Sequence, residues 1–372
     1  MDKRKYILSP CGTSFLTNHV KDKEQANLIR KYANEKKQED IPKIYRDILS
    51  SIIHAVSNKI KDTEDTLAAE MSAELNGIMK IYGGIFPKAN DYHLLLSTDT
   101  WLGEQTAKLV ETWLKNRDPA MDIYVLRQPD LQTEDMMAFQ LALSDLVKKF
   151  HKDLPDYSRS GYKIIFNLTG GFKGVQGFLQ SIANFYADET VYIFQSSSEL
   201  MRIPRLPVKM DAVGVVADHL EFFRNLAMEI PGPVPKDIPE TLMLSIDGET
   251  SLSPWGELLW VEARDQLYPK RIWPSPKPKK IKYGKAFLKS ADGIEPDRCK
   301  QINERIDQLN RYLLDKKHNL KSLDFKQLAG SSMAPSTHEI DAWADSDARR
   351  IFLHKDGNGC YILDKLGKGL GH

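Results

Sequence analysis

Short apolar runs alternate with longer segments of helical periodicity through the first half of the chain. The runs are rich in β-branched and aromatic residues and occupy Tyr6 to Leu8, Tyr92 to Leu96, Met121 to Leu126, Tyr162 to Phe166 and Val191 to Phe194. Helix-length segments lie between them, at Glu64 to Tyr82, Glu104 to Leu114 and Asp135 to Phe150. Nearly continuous apolar strands separated by helices are typical of a parallel sheet covered on both faces. The pattern therefore predicts an α/β domain with a doubly wound, Rossmann-like parallel sheet.

The pattern changes after Gln195. The serines at 196–198 and the proline-containing stretch Ile203 to Val208 indicate that the chain leaves the sheet. Helical patterns follow at Val215 to Met228 and Trp255 to Leu267, with prolines between and after them. After Leu267, prolines alternate with lysines, and this composition disfavours a packed helix or a central strand. Residues 211–279 are therefore predicted to form a helical and Pro/Lys-rich linker.

A smaller domain is predicted for residues 280–372, after a larger domain over 1–210. Its helix places Ile302, Ile306, Leu309 and Leu313 on one face, and we expect Glu304, Asp307 and Asn310 to point away. Three strands follow, joined by hairpin turns, at His338 to Trp343, Ala348 to His354 and Cys360 to Leu363. A helix followed by an antiparallel sheet indicates an α+β domain.

Charge and cysteine content exclude several classes of protein. The net charge is only +1, yet Pro269 to Lys289 contains eight Lys or Arg and no acidic residue. Three cysteines without a CxxC pair favour neither a disulfide framework nor a zinc site, so we expect no metal site. No apolar stretch is long enough to span a membrane, and the chain starts without a signal-like segment. A cytoplasmic protein with no membrane partner is expected.

Two polar turns predict an anion-binding pocket. Ser9 to Ser14 follows the first strand, and Asn167 to Gly174 joins a later strand to a helix. Helix N-termini present unsatisfied N–H groups, glycine allows close approach of a phosphate, and Lys173 adds a positive charge. In parallel sheets, ligands bind beyond the carboxyl ends of the strands, where Ser97 and Thr98 are also expected. Neither turn is a Walker A loop or a GxGxxG fingerprint.

The order Ser-Pro-x-Gly-Thr-Ser-x-Leu-Thr-Asn, together with Asn-Leu-Thr-Gly-Gly-Phe-Lys-Gly, resembles the CARF domain, a CRISPR-associated Rossmann-like sensor of cyclic oligoadenylate. The resemblance covers about residues 1–210. It implies a homodimer that shares one cyclic ring, favours cyclic tetra-adenylate as activator, and requires no other cofactor. It also allows cleavage of the ring by this domain. The residues that it places around the ring are Ser9, Gly12, Thr13, Ser14, Thr17, Asn18, Asn167, Thr169, Gly170, Gly171 and Lys173, with Ser97 and Thr98 from the neighbouring strand.

The C-terminal region carries residues suited to phosphodiester chemistry. Strand alternation places Arg350 and His354 on one face, where histidine can transfer protons and arginine can stabilise charge on a phosphate. The order of a helix, the Leu-Ala-Gly turn at 328–330 and successive strands resembles the RelE family of ribosome-dependent messenger-RNA interferases. That resemblance implies metal-independent cleavage through the ribose 2′-hydroxyl, with His338 or His354 as base or acid and Arg350 and Lys368 holding the phosphate. Asp341 departs from the pattern, because a basic residue is expected there.

A CARF domain could also be joined to either of two other kinds of effector, a HEPN ribonuclease or a transcription factor. A HEPN ribonuclease that cuts free RNA is marked by an arginine and a histidine on helices with four to six residues between them, and Arg311 with His318, or Arg349 with His354, has that spacing. A HEPN unit is a longer, all-helical domain than this C-terminus supplies. A CARF-regulated transcription factor needs a recognition helix; Trp255 to Leu267 is the candidate, and its acidic residues disfavour it.

Overall fold

The computed structural model describes residues 3–61, 63–84, 90–194, 199–207, 209–246, 248–277, 279–328 and 333–369. The chain divides into two compact units, Met1–Lys209 and Met210–His372. In the ranges described, none of the helices is both long enough and apolar enough to cross a membrane.

The first unit is built on a six-stranded sheet with the strand order β3-β2-β1-β4-β5-β6. Its strands are β1 (Lys5–Cys11), β2 (Tyr92–Ser97), β3 (Asp122–Arg127), β4 (Lys163–Asn167), β5 (Glu189–Ile193) and β6 (Leu200–Pro204). The first five are parallel, and β6 runs antiparallel to β5 at one edge. Helices flank the sheet, and the central strand β1 is buried along almost its whole length. This confirms the predicted α/β fold with its Rossmann-like sheet.

The helices of the first unit largely follow the predicted pattern. They are α1 (Ser14–Thr17), α2 (Lys23–Lys31), α3 (Lys43–Lys61), α4 (Asp65–Met71), α5 (Ala73–Tyr82), α6 (Trp101–Arg117), α7 (Met136–Arg159) and α8 (Lys173–Tyr186), with a 3-10 turn at Gln38–Asp40. The single helix expected from Glu64 to Tyr82 is divided at Ser72, whose hydroxyl accepts a hydrogen bond from the Leu75 N–H and caps α5.

The prediction that the chain leaves the sheet after Gln195 is wrong for the residues that are described there. Leu200–Pro204 returns as the edge strand β6, while residues 195–198 and 208 lie outside the described residues. Proline lacks an N–H donor, which a strand end at a sheet edge does not require. Pro204, which in the sequence argues against a strand, is therefore compatible with the last position of β6.

The described residues of the second unit form a hairpin, a five-stranded sheet and five helices. Its strands are β7 (Met243–Ile246), β8 (Glu249–Leu252), β9 (Ile281–Tyr283), β10 (Lys326–Gln327), β11 (His338–Trp343), β12 (Arg349–Lys355) and β13 (Tyr361–Gly367). Its helices are α9 (Ala212–Val216), α10 (Leu220–Ala227), α11 (Pro254–Leu267), α12 (Lys285–Ser290) and α13 (Pro296–Leu314), with 3-10 turns at Ala217–His219, Glu240–Leu242, Tyr268–Lys270 and Lys316–His318. The sheet order is β10-β11-β12-β13-β9; β9 is parallel to β13, and the other pairs are antiparallel.

The predicted linker, residues 211–279, is packed within the second unit. Arg224 is buried in α10, and its Nη2 lies 2.6 Å from Asp307 Oδ1 of α13. The Tyr268 hydroxyl donates a hydrogen bond to the same carboxylate, and the Asn303 amide donates to the backbone carbonyl of Tyr268 at 3.0 Å. Charged side chains are buried when they are paired in this way. This segment is therefore part of a core rather than a free connector.

Helix α13 has two buried stripes, of which the sequence pattern predicts one. Ile302, Ile306 and Leu309 pack against the sheet, as expected from their spacing. Asp307 and Asn310, expected to point away, are buried as well, and Asn310 Nδ2 donates to Asn225 Oδ1 at 3.1 Å. Their polar partners come from a segment distant in the chain, so helical periodicity alone could not identify them.

Candidate functional site

The turn after β1 and the turn after β4 lie in backbone contact at the carboxyl edge of the first sheet. Because β1 pairs with both β2 and β4, strand order reverses at this edge, where ligands of open α/β sheets bind. A Cβ atom on Gly12 would lie only 3.4 Å from the Cα of Gly171. Gly171 has a φ of +96°, a conformation that favours glycine. The structure thus brings the two predicted turns together.

Ser9 and Asn167 join these turns from inside the protein. Both residues are fully buried, and Asn167 Nδ2 donates to Ser9 Oγ at 3.1 Å and to the carbonyl oxygen of Glu74 at 3.0 Å. Asn167 Oδ1 accepts from the Thr169 N–H at 3.4 Å. The two side chains therefore hold the strand ends in place, whereas the resemblance placed them around the ring.

Glu74, at the start of α5, connects the two turns and was missed in the sequence. Its fully buried carboxylate accepts from the Gly12 N–H at 3.1 Å and from Ser72 Oγ at 2.8 Å. Burial raises the pKa of Glu74, and hydrogen bonds from Gly12, Ser72 and the Gly171 N–H oppose that rise. A Cβ on Gly170 would collide with this carboxylate. In the sequence, Ser72-Ala-Glu74 gives only a helix-start signal.

The exposed part of this site is the N-terminus of α8. The helix begins at Lys173, and within the described chain no side chain caps its first N–H groups. Gln176 Nε2 instead holds the preceding loop, donating to the carbonyls of Leu168 at 3.1 Å and Gly170 at 2.8 Å. Lys173 is exposed. Free N–H groups, the helix dipole and a lysine make this edge suitable for a phosphate.

The remaining predicted ring residues differ in exposure. Thr13, Ser14 and Thr17 are half-buried around the short helix α1, where Thr17 Oγ1 donates to the Ser14 carbonyl at 3.1 Å, and Asn18 is exposed. Ser97 and Thr98 are buried after β2. Ser97 Oγ donates to the carbonyl of Thr98, and the Thr98 hydroxyl contacts that of Thr100, which caps α6. The polar cluster at 97–100 thus supports a helix start.

In the second unit, the register of β11 and β12 decides which residues share a sheet face. Asp341 lies opposite Arg350, whereas His338 lies opposite Leu353, a core residue. Directly paired residues point to the same face. His338 is therefore on the helix-covered face, in contact with the rings of Phe325 and Tyr361, and away from Arg350. Burial and two nearby lysines lower the pKa of His338.

Arg350 and His354 share the other face, as strand alternation predicts, and lie about 13 Å apart along β12. Arg350 lies within an acidic cluster: its Nη1 is 2.8 Å from Asp324 Oδ2, contacts Asp341 and is 3.9 Å from Glu339 Oε1. The hydrogen bond from Arg350 contributes to a lowered pKa of Asp324. The guanidinium is thus neutralised in this arrangement, and a phosphate would compete with these carboxylates.

His354 is paired with Asp364, which was not singled out in the sequence. Its Nδ1 lies 2.9 Å from each carboxylate oxygen, and Ser336 Oγ donates to Asp364 Oδ2 at 2.8 Å. The pairing of β12 with β13 steps from Phe352 with Lys365 to Leu353 with Leu363, so Asp364 is the extra residue of a β-bulge. Lys368, one residue beyond β13, is exposed, and no hydrogen bond or ion pair joins it to another residue of the described chain.

Residues 69–206 match a family described as CRISPR-associated protein (Cas_APE2256). The match supports a CRISPR-associated protein. It includes Glu74, β2 to β6 and the turn from Asn167 to Gly174, and it ends before the second unit begins. No curated protein matches the chain.

The two Arg–His pairs with HEPN-like spacing differ in geometry. Arg311 Nη2 lies 3.2 Å from His318 Nε2, at the end of α13 and in the 3-10 turn that follows. Arg349 and His354 have four residues between them along β12 and so point to opposite faces. Arg349 instead bonds to Asp347 in the neighbouring hairpin turn. Among the described residues, no three His, Cys, Asp or Glu side chains are arranged to hold a metal ion.

Proposed function

We propose that this chain is a CRISPR-associated effector in which the first unit binds a cyclic oligoadenylate and the second unit cuts messenger RNA. The observation that carries the proposal is the uncapped N-terminus of α8 with the exposed Lys173, at the strand edge where the two glycine turns meet. The turn from Asn167 to Gly174 and the start of α8 lie within the range that matches a CRISPR-associated family, whereas the turn after β1 lies outside it. A cyclic oligonucleotide presents the phosphodiesters that such an edge binds.

In this proposal two copies of the first unit share one ring, so a ligand with twofold symmetry is expected. Twofold homodimers are the commonest oligomers, and cyclic tetra-adenylate has matching symmetry. In this proposal, backbone N–H groups of the two turns bind phosphates, and Lys173 supplies charge. Thr13 and Asn18 supply exposed or half-exposed polar groups at the rim. Cleavage of the ring by the first unit is a separate proposal. It is tested by incubating the protein with cyclic tetra-adenylate alone and measuring the loss of the ring.

The second unit is proposed to be a RelE-like, ribosome-dependent endoribonuclease. Support comes from the α+β arrangement and from Arg350 and His354 on one sheet face, each with a side chain that is 23% exposed. In this proposal His354 transfers a proton and Arg350 stabilises charge on the phosphate, while the ribose 2′-hydroxyl attacks. Ligand binding would activate cleavage only if the ring binds the active arrangement more tightly than the inactive one.

The test is translation of a reporter messenger RNA by ribosomes, with and without cyclic tetra-adenylate. We expect cleavage only when both the ligand and the ribosomes are present. Ligand-dependent cutting of naked RNA at the same rate would contradict the RelE-like proposal. No cleavage under any condition would contradict a nuclease and favour a transcription factor.

The HEPN alternative has one specific observation in its favour, the contact between Arg311 and His318. It expects cutting of naked RNA and loss of that cutting in His318→Ala. The regulator alternative requires α11 to enter DNA, yet Leu258, Val261 and Leu267 of that helix are buried. Both alternatives are therefore less well supported than the RelE-like one.

A further inference from the structure

The carboxylate of Asp364 holds the imidazole of His354 from one side. Both oxygens are 2.9 Å from Nδ1, so the carboxylate can accept the Nδ1 proton with either oxygen. Ser336, itself buried, donates to Oδ2 at 2.8 Å and fixes the orientation of the carboxylate. The β-bulge places this acid beside His354. A carboxylate on Nδ1 selects the tautomer in which Nε2 carries a free lone pair.

The other nitrogen of His354 is available for chemistry. Nε2 makes no hydrogen bond with any residue that the structure describes, and the side chain is partly exposed. His338 differs, because its ring packs against Phe325 and its Nδ1 contacts the Thr337 hydroxyl at 2.8 Å. Of the two histidines named from the sequence, only His354 has a carboxylate on one nitrogen and an open second nitrogen.

We infer that Asp364 is a positioning residue that holds His354 as the general base of RNA cleavage. The inference rests on the proposed nuclease function. His354 Nε2 takes the proton of the ribose 2′-hydroxyl, and the 2′-oxygen forms a bond to phosphorus. The bond from phosphorus to the 5′-oxygen breaks, and water protonates that oxygen. The resulting hydroxide takes back the proton from the imidazolium, so the products are a 2′,3′-cyclic phosphate and a 5′-hydroxyl.

The test compares Asp364→Ala with Asp364→Glu in the full-length protein. We expect Asp364→Ala to lower kcat about 100-fold, the lower end of what a positioned base contributes. KM for the ribosome–messenger complex should stay unchanged, because Asp364 acts only through His354. Asp364→Glu should recover most of the rate. Asp347→Ala, which removes a carboxylate from Arg349 in the same sheet, is the matched control and should cleave normally.

A second measurement separates this inference from the proposed function. The ¹⁵N shifts of the His354 imidazole, assigned against His354→Gln, report the tautomer without any cleavage. We expect the Nδ1-protonated form in the wild type and in Asp364→Glu, and its loss in Asp364→Ala. A wild-type imidazole protonated on Nε2 would overturn the inference even if RNA is cut. Normal cleavage by Asp364→Ala would do the same, while a wild type that never cuts RNA would overturn the nuclease function and this role with it.

Discussion

The two candidate sites of this protein use their side chains in opposite ways. At the edge of the first sheet, Ser9, Glu74 and Asn167 are fully buried and bonded to each other or to backbone groups. What they leave exposed is backbone N–H and Lys173. On the second sheet, Arg350 and His354 are themselves partly exposed, each with acidic partners.

This difference follows from the two proposed tasks. A backbone that binds phosphate must be held in one conformation, so its polar side chains are used as internal braces. Proton transfer and charge stabilisation need side chains that can reach the substrate. Substitutions at the first site should therefore act mainly through the framework, whereas substitutions at the second should change the reaction directly.

The largest effect is expected from Arg350→Ala. Removing a group that stabilises charge in the transition state should lower cleavage about 10²- to 10³-fold. Ligand affinity, measured by calorimetry, should persist because the ring site is built from the first unit. Arg349→Ala, next to it on β12 but on the opposite face, is the control and should retain cleavage.

Removal of Arg350 also breaks its ion pairs with Asp341 and Asp324. Asp324 keeps Lys326 at 2.9 Å, whereas the loss at Asp341 destabilises the second unit. Arg350→Lys restores the charge and the fold but not the planar guanidinium, so it should fold normally and still cut slowly. Full cleavage by the lysine variant would mean that Arg350 is only structural.

A smaller effect is expected at Glu74. Glu74→Ala leaves the Gly12 and Gly171 N–H groups without their acceptor and should cost about 2 to 4 kcal/mol of unfolding free energy. Glu74→Gln keeps one oxygen for these donors and places its amide against the Ser72 hydroxyl, which can accept. It should therefore keep most of the stability and the ligand affinity. Stability is measured by chemical denaturation and ligand affinity by calorimetry. Equal losses in Glu74→Ala and Glu74→Gln would show that the negative charge of Glu74, rather than its oxygen acceptor, stabilises the two turns.

The smallest effect is expected from Lys173→Ala. One exposed lysine near a phosphate should contribute about tenfold in ring affinity, roughly 1.4 kcal/mol, without a change in stability. The loss should shrink at high salt, because solvent-exposed charges are screened. Lys43→Ala is the matched control, since Lys43 is exposed and also begins a helix. An unchanged ring affinity of Lys173→Ala at low salt would show that the ring does not bind at the N-terminus of α8.

Periodicity predicted the strands β1 to β5 and the sheet that they form, because short apolar runs rich in β-branched and aromatic residues, with helical segments between them, favour buried strands. It did not predict β9, which has only three residues, nor the burial of Arg224 and Tyr268 within residues 211–279. The sequence pattern places Asp307 and Asn310 of α13 on a solvent-facing side. In the structure they are buried because Arg224 and Asn225 are their partners. Local sequence patterns cannot identify hydrogen-bond partners that lie 83 and 85 residues away in the chain.

The sequence by itself determined where glycine turns follow strands and that Arg350, Phe352 and His354 share one face of their strand. These features depend on neighbours along the chain. Only the tertiary structure decided that Glu74 connects the two turns, that His338 lies on the opposite face from Arg350, and that Asp364 holds His354. Each of those depends on strand register, a bulge or a helix from elsewhere in the chain, and such long-range pairings are set by packing rather than by local composition.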